Sequence, residues 1–184
     1  MKKYCLLISL IIFSTATNAS IKENIINNLR NIDNITFKFE QNTSGKIEYG
    51  TCTIKYSKKI FCRYENDNKK ILVSNGKSLV IKNRNSGTYY IYPLEKTPLE
   101  FLLDKNYLIK KINILKSRII SDKYINFTML ENNNVITIFF DKETLDLIGW
   151  QTEDMYQNLT ITFISSVKRN QKINDRIFIL PKRN

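Results

Sequence analysis

The stretch KKILVSNGKSLVIKN, residues 69–83, sets one apolar run on either side of Asn75-Gly76. Ile, Leu and Val favour the pleated strand, and Asn-Gly tolerates the positive φ angles of a tight turn, so the stretch predicts an antiparallel hairpin. An isolated hairpin is only marginally stable in water. The pair must therefore belong to a larger sheet, and the flanking sequence supplies it.

Upstream, Ile35, Phe37, Phe39 and Gln41 alternate with Thr36, Lys38 and Glu40, the pattern of a half-buried strand. Further strand-like segments cover residues 47–56, 60–65, 70–74, 78–83 and 88–92. Others cover residues 108–115, 124–130, 135–140, 145–151, 159–164 and 177–180, with tight turns such as Asn132-Asn133-Asn134. Two segments read as helices. Ser20 and Glu23 form a capping box ahead of Ile21, Ile25, Ile26, Leu29 and Ile32, which predicts a helix over residues 21–30. Thr97 and Pro98 offer a cap and a first-turn proline to Leu99, Phe101, Leu102 and Leu103. About eleven consecutive strands with two helices predict a mainly β fold. A flat sheet of that width curls or splits. The expected architecture is thus one curved antiparallel sheet, closed or half-open, with helices at its mouth and an apolar, roomy interior. Ile71, Val73, Leu79 and Ile81 are expected to line that interior.

Lys2 and Lys3, an apolar run over residues 6–13 and the small residues Thr17, Asn18 and Ala19 have the layout of a secretory signal peptide. Cleavage after Ala19 leaves one domain, residues 20–184, in an exported compartment. The apolar run is too short to span a bilayer. Without Lys2 and Lys3, 27 basic residues face 17 acidic ones, a net charge of about +10. In an exported protein this balance favours acidic partners or anionic membranes over DNA. The cations are spread along the chain in short pairs, which speaks against a nucleic-acid stripe. Cys52 and Cys62 stand an even number of residues apart on neighbouring strands of one hairpin. They form either a cross-strand disulfide or two small buried thiols.

The chain has no histidine, which excludes histidine-dependent triads and the usual zinc sites. Its five glycines are scattered singly, so no phosphate loop is present. The carboxylates Glu153-Asp154 and Asp141 with Glu143 fall near strand ends and turns, where solvated acids are ordinary. Neither an enzymatic activity nor a metal or other cofactor is expected.

An ordered set of residues resembles the LolA family of periplasmic outer-membrane lipoprotein carriers. It comprises Phe39-x-Gln41, Gly50, Ile60-x-x-x-Tyr64, the hairpin from Ile71 to Leu79, Pro93-Leu94 and Thr97-Pro98-Leu99-x-x-Leu102-Leu103. Leu145-x-Leu147-x-x-Trp150, Asp154, Leu159-Thr160-Ile161 and Ile177-Phe178 continue it, so the resemblance spans most of the mature chain. It implies an incomplete antiparallel β-barrel with an α-helical lid over a hydrophobic cavity, the LolA/LolB-like fold. It also implies a monomeric periplasmic carrier that accepts lipoproteins from a LolCDE-type ABC transporter and shields their acyl chains. Delivery would be to an outer-membrane acceptor, of LolB type where one is present. LolB itself carries a lipidated cysteine at its mature start, where this chain has Ser20.

The positions that match the cavity are Phe37, Phe39, Ile54, Tyr56, Ile60 and Tyr64, with Leu99, Leu102 and Leu103 as the underside of the lid. One departure bears on the lid. Where the family commonly has an Arg-Pro pair, linked to holding the lid closed, this chain has Tyr56-Ser57, so its closing contact must differ or be weaker. A related half-barrel that binds another lipid or serves as a sensor, and an exported nucleic-acid binder, are the alternative readings.

Overall fold

The computed structural model describes residues 21–56, 58–65, 69–153 and 157–183. The expected signal peptide, with its cleavage site and Ser20, lies outside them.

Among the described residues, eleven antiparallel strands form one sheet. They are β1 (Asn34–Thr43), β2 (Lys46–Lys55), β3 (Lys59–Tyr64), β4 (Lys70–Asn75), β5 (Ser78–Asn83), β6 (Tyr89–Pro93), β7 (Arg118–Ile120), β8 (Tyr124–Glu131), β9 (Asn134–Asp141), β10 (Leu147–Glu153) and β11 (Leu159–Arg169). The order across the sheet is β6-β5-β4-β3-β2-β1-β11-β10-β9-β8-β7. The two end strands do not pair with each other, so the sheet is a half-open barrel; this decides between the closed and half-open forms that the alternation left open and agrees with the incomplete barrel the resemblance implies.

Three α-helices accompany it among the described residues: α1 (Ile21–Arg30), α2 (Leu99–Leu102) and α3 (Lys105–Ile114). The amphipathic α1 has the predicted bounds and buries Ile25, Ile26 and Leu29. Helix α3 corrects the strand expected over residues 108–115. Its isoleucines raise β propensity, but Asp104 accepts a hydrogen bond from the Tyr107 N–H and so caps a helix. Leu108 and Ile112, four residues apart, then share one buried face. Thr97 does not cap α2; its hydroxyl donates back to the Leu94 carbonyl in a short 3-10 helix, Leu94–Lys96. The strand expected over residues 177–180 is also absent. A 3-10 helix, Asp175–Phe178, occupies that region and packs against β3 and β4. Strand β7, which no run of alternation announced, adds the eleventh.

Helices α1 and α3 exchange lysines at their ends. Lys22 donates to the Leu115 carbonyl at 3.0 Å, and Lys105 donates to the Ile32 carbonyl at 2.9 Å. Cations at helix C-termini satisfy orphan carbonyls and oppose the negative end of the helix dipole. The two helices are thereby fixed to each other.

The hairpin at residues 69–83 forms with a different turn from the expected one. Ser74 pairs with Leu79, and only Gly76 and Lys77 lie between the ends of β4 and β5, so the turn sits one residue beyond the expected Asn75-Gly76. Gly76 takes the positive φ, 96°, while the Asn75 side chain accepts from the Lys77 and Ser78 N–H groups. With an even-numbered loop, Val73 stands opposite Val80 and Leu72 opposite Ile81. Leu79 therefore joins the inner cluster and Ile81 shares its face. Ile71 and Val73 point outward, under the C-terminal segment, correcting the expectation that all four line the interior.

Candidate functional site: an apolar chamber under a helical lid

Inward-facing residues from both halves of the sheet meet the helices in one cluster. It contains Phe37, Phe39, Ile54, Ile60, Tyr64, Leu102 and Leu103 as buried residues, with Tyr56 and Leu99 packed against them. The structure thus brings all nine sequence-predicted positions together. Register explains the convergence: Phe37 pairs with Cys52, Ile35 with Ile54 and Ile54 with Ile60, so one face of β1, β2 and β3 is apolar from Ile35 and Ile54 as far as Phe39 and Gly50. Gly50 sits between Phe39 and Tyr64 in the same row. A Cβ there would lie 2.7 Å from the Phe39 ring, so its absence lets Phe39 meet Tyr64 edge to face at 4.9 Å.

The other half of the chamber was not singled out from sequence. Ile138, Leu147 and Trp150 line it opposite Ile54, together with Leu108 from α3. Trp150 meets Phe37 edge to face at 6.1 Å. The chain's single tryptophan on an alternating strand was the available signal.

Cys52 and Cys62 stand directly opposite across β2 and β3, and the structure joins them by a disulfide. The bond lies in the chamber wall, with both residues almost fully buried.

The far end of the chamber is polar. Tyr64 donates to Gln41 at 3.0 Å, and Lys70 reaches Glu48 at 2.6 Å while lying 3.7 Å from the Tyr64 ring centre. Burial lowers the Lys70 pKa from its ordinary value, and Glu48 opposes that shift. Burial raises the Tyr64 hydroxyl, with the Glu48 charge adding to the effect. It likewise pushes Tyr56 up to about 12. Both phenols are neutral at physiological pH, so neither brings charge to the apolar wall.

The lid is shut. Leu99, Leu102, Leu103 and Leu108 meet Ile54, Ile138, Leu147 and Trp150 around a void of only about 10 Å³, at the lower limit for a single water. The roomy interior expected from strand count is therefore filled by the lid's own leucines.

A cation holds the lid from the β2–β3 turn. Lys58 ion-pairs with Glu100 on α2 and lies 3.3 Å from Asp104, the cap of α3. Its own carbonyl accepts from the buried Ser74 hydroxyl at 3.0 Å, which ties this turn to the end of β4. Thus a contact does link the turn following Tyr56 to the lid. The hydrogen bond to Glu100 is the main cause of a raised Lys58 pKa. A raised lysine pKa gives stability that is fully present below the ordinary value of 10.5 and lost as pH rises past the raised one, so the contact is intact at neutral pH. For a partly exposed charged pair we assign about 1 kcal/mol. Lys58→Met should accordingly raise the open-lid population about fivefold, read as faster amide exchange in α2 and α3. Unchanged exchange would mean that the apolar underside alone sets the lid's position.

A half-open barrel whose concave face is apolar and whose mouth is covered by helices defines a protein built to enclose an apolar ligand. The chain belongs to the outer membrane lipoprotein carrier protein LolA family, whose sequence profile matches residues 30–180. No curated protein sequence matches significantly. Among solved structures, an uncharacterized conserved protein from Thermus thermophilus is similar in fold, with a TM-score of 0.52 and 6% identity over 88% of this chain and 93% of that one. A LolA superfamily protein from Nitrosomonas europaea gives a TM-score of 0.45 and 8% identity over 88% and 99% of the two chains. The MucA/MucB complex of Pseudomonas aeruginosa gives 0.46 and 11% identity over 86% and 60%.

Proposed function

We propose that the chain is a periplasmic carrier for lipoproteins: residues 1–19 direct export, and residues 20–184 form one domain that shields acyl chains during transfer. The observation that carries this reading is the apolar chamber closed by a helical lid, in a chain of the LolA family. The nine residues from Phe37 to Leu103 named above, with Ile138 and Trp150, would contact the acyl chains.

Magnitudes favour an exchange of lid contacts for cargo. Leu102, Leu103, Leu108 and Ile112 are buried under the closed lid. Exposing them costs about 1.5–3 kcal/mol each, roughly 6–12 kcal/mol together. Three acyl chains of roughly fifteen methylenes represent about 35 kcal/mol of burial, at ~0.8 kcal/mol per methylene. Cargo can therefore offset lid opening several times over, while the empty carrier stays shut and soluble. Transfer at each end then requires only a difference in affinity between donor, carrier and acceptor. A LolCDE-type transporter would supply the cargo and an outer-membrane acceptor, of LolB type where present, would receive it.

The test is extraction. Purified protein, incubated with inner-membrane vesicles holding a fluorescent triacylated lipoprotein, a cognate ABC transporter and ATP, should carry the lipoprotein into the soluble fraction. Binding of free fatty-acid probes with lipoprotein retained on the vesicles would reject the carrier reading in favour of a lipid sensor.

A further inference from the structure

A second concavity lies outside the chamber. Where the C-terminal segment crosses the convex face of the sheet, a groove of about 290 Å³ opens between Ile71, Lys82, Arg84 and Pro181. That volume is at the low end of the range for small-molecule sites.

The wall formed by this segment is anchored. Phe178 is 2% exposed, and the Lys59 ammonium lies 5.9 Å from its ring centre. Asp175 pairs with Lys55 at 2.8 Å, and Lys82 donates to the Lys182 carbonyl at 2.9 Å. The segment is thus held on both sides of the groove. The floor is apolar: Ile71 is buried from β4 and Pro181 faces it. Two of the four lining residues are cations, and none is acidic. Register adds a third, because Arg63 pairs with Ile71 and Ile71 with Lys82, placing Arg63 on the same outward row.

An apolar floor beneath a guanidinium and an ammonium selects an anion that carries a short apolar part. Arg offers a planar fork to phosphate oxygens and Lys a point charge. We infer that this groove binds a phosphate ester of headgroup size, Arg84 and Lys82 holding the phosphate and Ile71 and Pro181 contacting its first carbons. The same chemistry occurs in soluble glycerol phosphates and in the headgroups of anionic phospholipids. The net charge of about +10 that remains without Lys2 and Lys3 draws the molecule toward either source. The groove is on the face opposite the chamber, so occupation does not require an open lid.

The experiment compares the wild type with Arg84→Glu and Lys123→Glu, which change net charge equally; Lys123 is exposed beyond β7, away from the groove. Each is titrated with sn-glycerol 3-phosphate by NMR, and each is sedimented with vesicles of phosphatidylcholine containing phosphatidylglycerol. Thermal unfolding checks that both variants are folded. The expected result is at least a fivefold loss of binding for Arg84→Glu and less than twofold for Lys123→Glu. Loss on vesicles alone assigns a membrane headgroup, and loss with the soluble ester assigns a free phosphate ester. Equal loss in the two variants, or no binding of either probe by the wild type, overturns the proposal.

Discussion

Replacing Leu103 with glutamate should open the lid without unfolding the sheet. Leu103 is fully buried, and none of the residues around the void beneath it is charged. In the closed state the new carboxylate would be desolvated without a partner, and the leucine's burial, about 2 kcal/mol, would be lost. Together these disfavour closure by at least about 4 kcal/mol, roughly a thousandfold in the open-to-closed ratio. In the open state the same group faces water and is harmless. Burial raises a carboxyl pKa, so the closed form binds the proton more tightly; closure should be partly restored as pH falls from that raised value toward about 4.3, the ordinary value kept by the open form, with no further gain below it. The readouts are loss of exchange protection in α2 and α3 and increased binding of an apolar dye, with β1–β5 still protected. Simultaneous loss of protection across the sheet would show that the lid does not move as an independent unit.

Removing the disulfide should have the second large effect. Cys52 and Cys62 are ten residues apart in sequence, so the bond closes a short loop. In the chain-entropy treatment such a loop contributes about 3 kcal/mol by restricting the unfolded chain. For a domain of this size that corresponds to a fall in Tm of roughly 6–12 °C. The Cys52→Ala, Cys62→Ala double variant should show that fall, and the wild type treated with reductant should match it. A variant that melts within a degree of the oxidised wild type would remove the bond from the stabilising interactions. Both sulfurs of the bond lie in the chamber wall, so binding of an apolar probe by the variant at low temperature separates the bond's effect on stability from any effect on the site.

The sheet was legible because burial on one face writes a period of two into sequence, and most of the strands follow it closely. The exceptions have physical causes. Residues 108–115 carry five Ile or Leu residues besides the helix-compatible lysines, and their β propensity hid the spacing of Leu108 and Ile112 that a helix face requires. The Asp104 cap was the better signal there, since it acts on the backbone directly. Strand β7 has three exposed residues and no alternation to detect. Phe178 is buried as an anchor on the convex face, so an apolar run that read as a strand is a docking segment instead.

For the site, alternation located the wall contributed by β1, β2 and β3 but could not choose between faces for the hairpin at residues 69–83. That choice depends on whether the loop holds an even or odd number of residues, and the Asn75 side-chain bonds settle it. The lid contact was out of reach for a different reason. Lys58, Glu100 and Asp104 are ordinary surface charges in sequence, and only the packing of α2 and α3 over the β2–β3 turn brings them together.

Among the described residues the end strands β6 and β7 do not pair with each other, which leaves the wall without a fixed circumference. In a closed barrel, strand number and stagger set the diameter, and widening it breaks ladder hydrogen bonds. Here the order ends in two unbonded margins, so the wall can change its curvature like a leaf spring while every existing ladder stays intact. For the carrier proposed above, the bore would then be set by its contents, so that a load with two hydrocarbon tails or three could be gripped by the same set of strands.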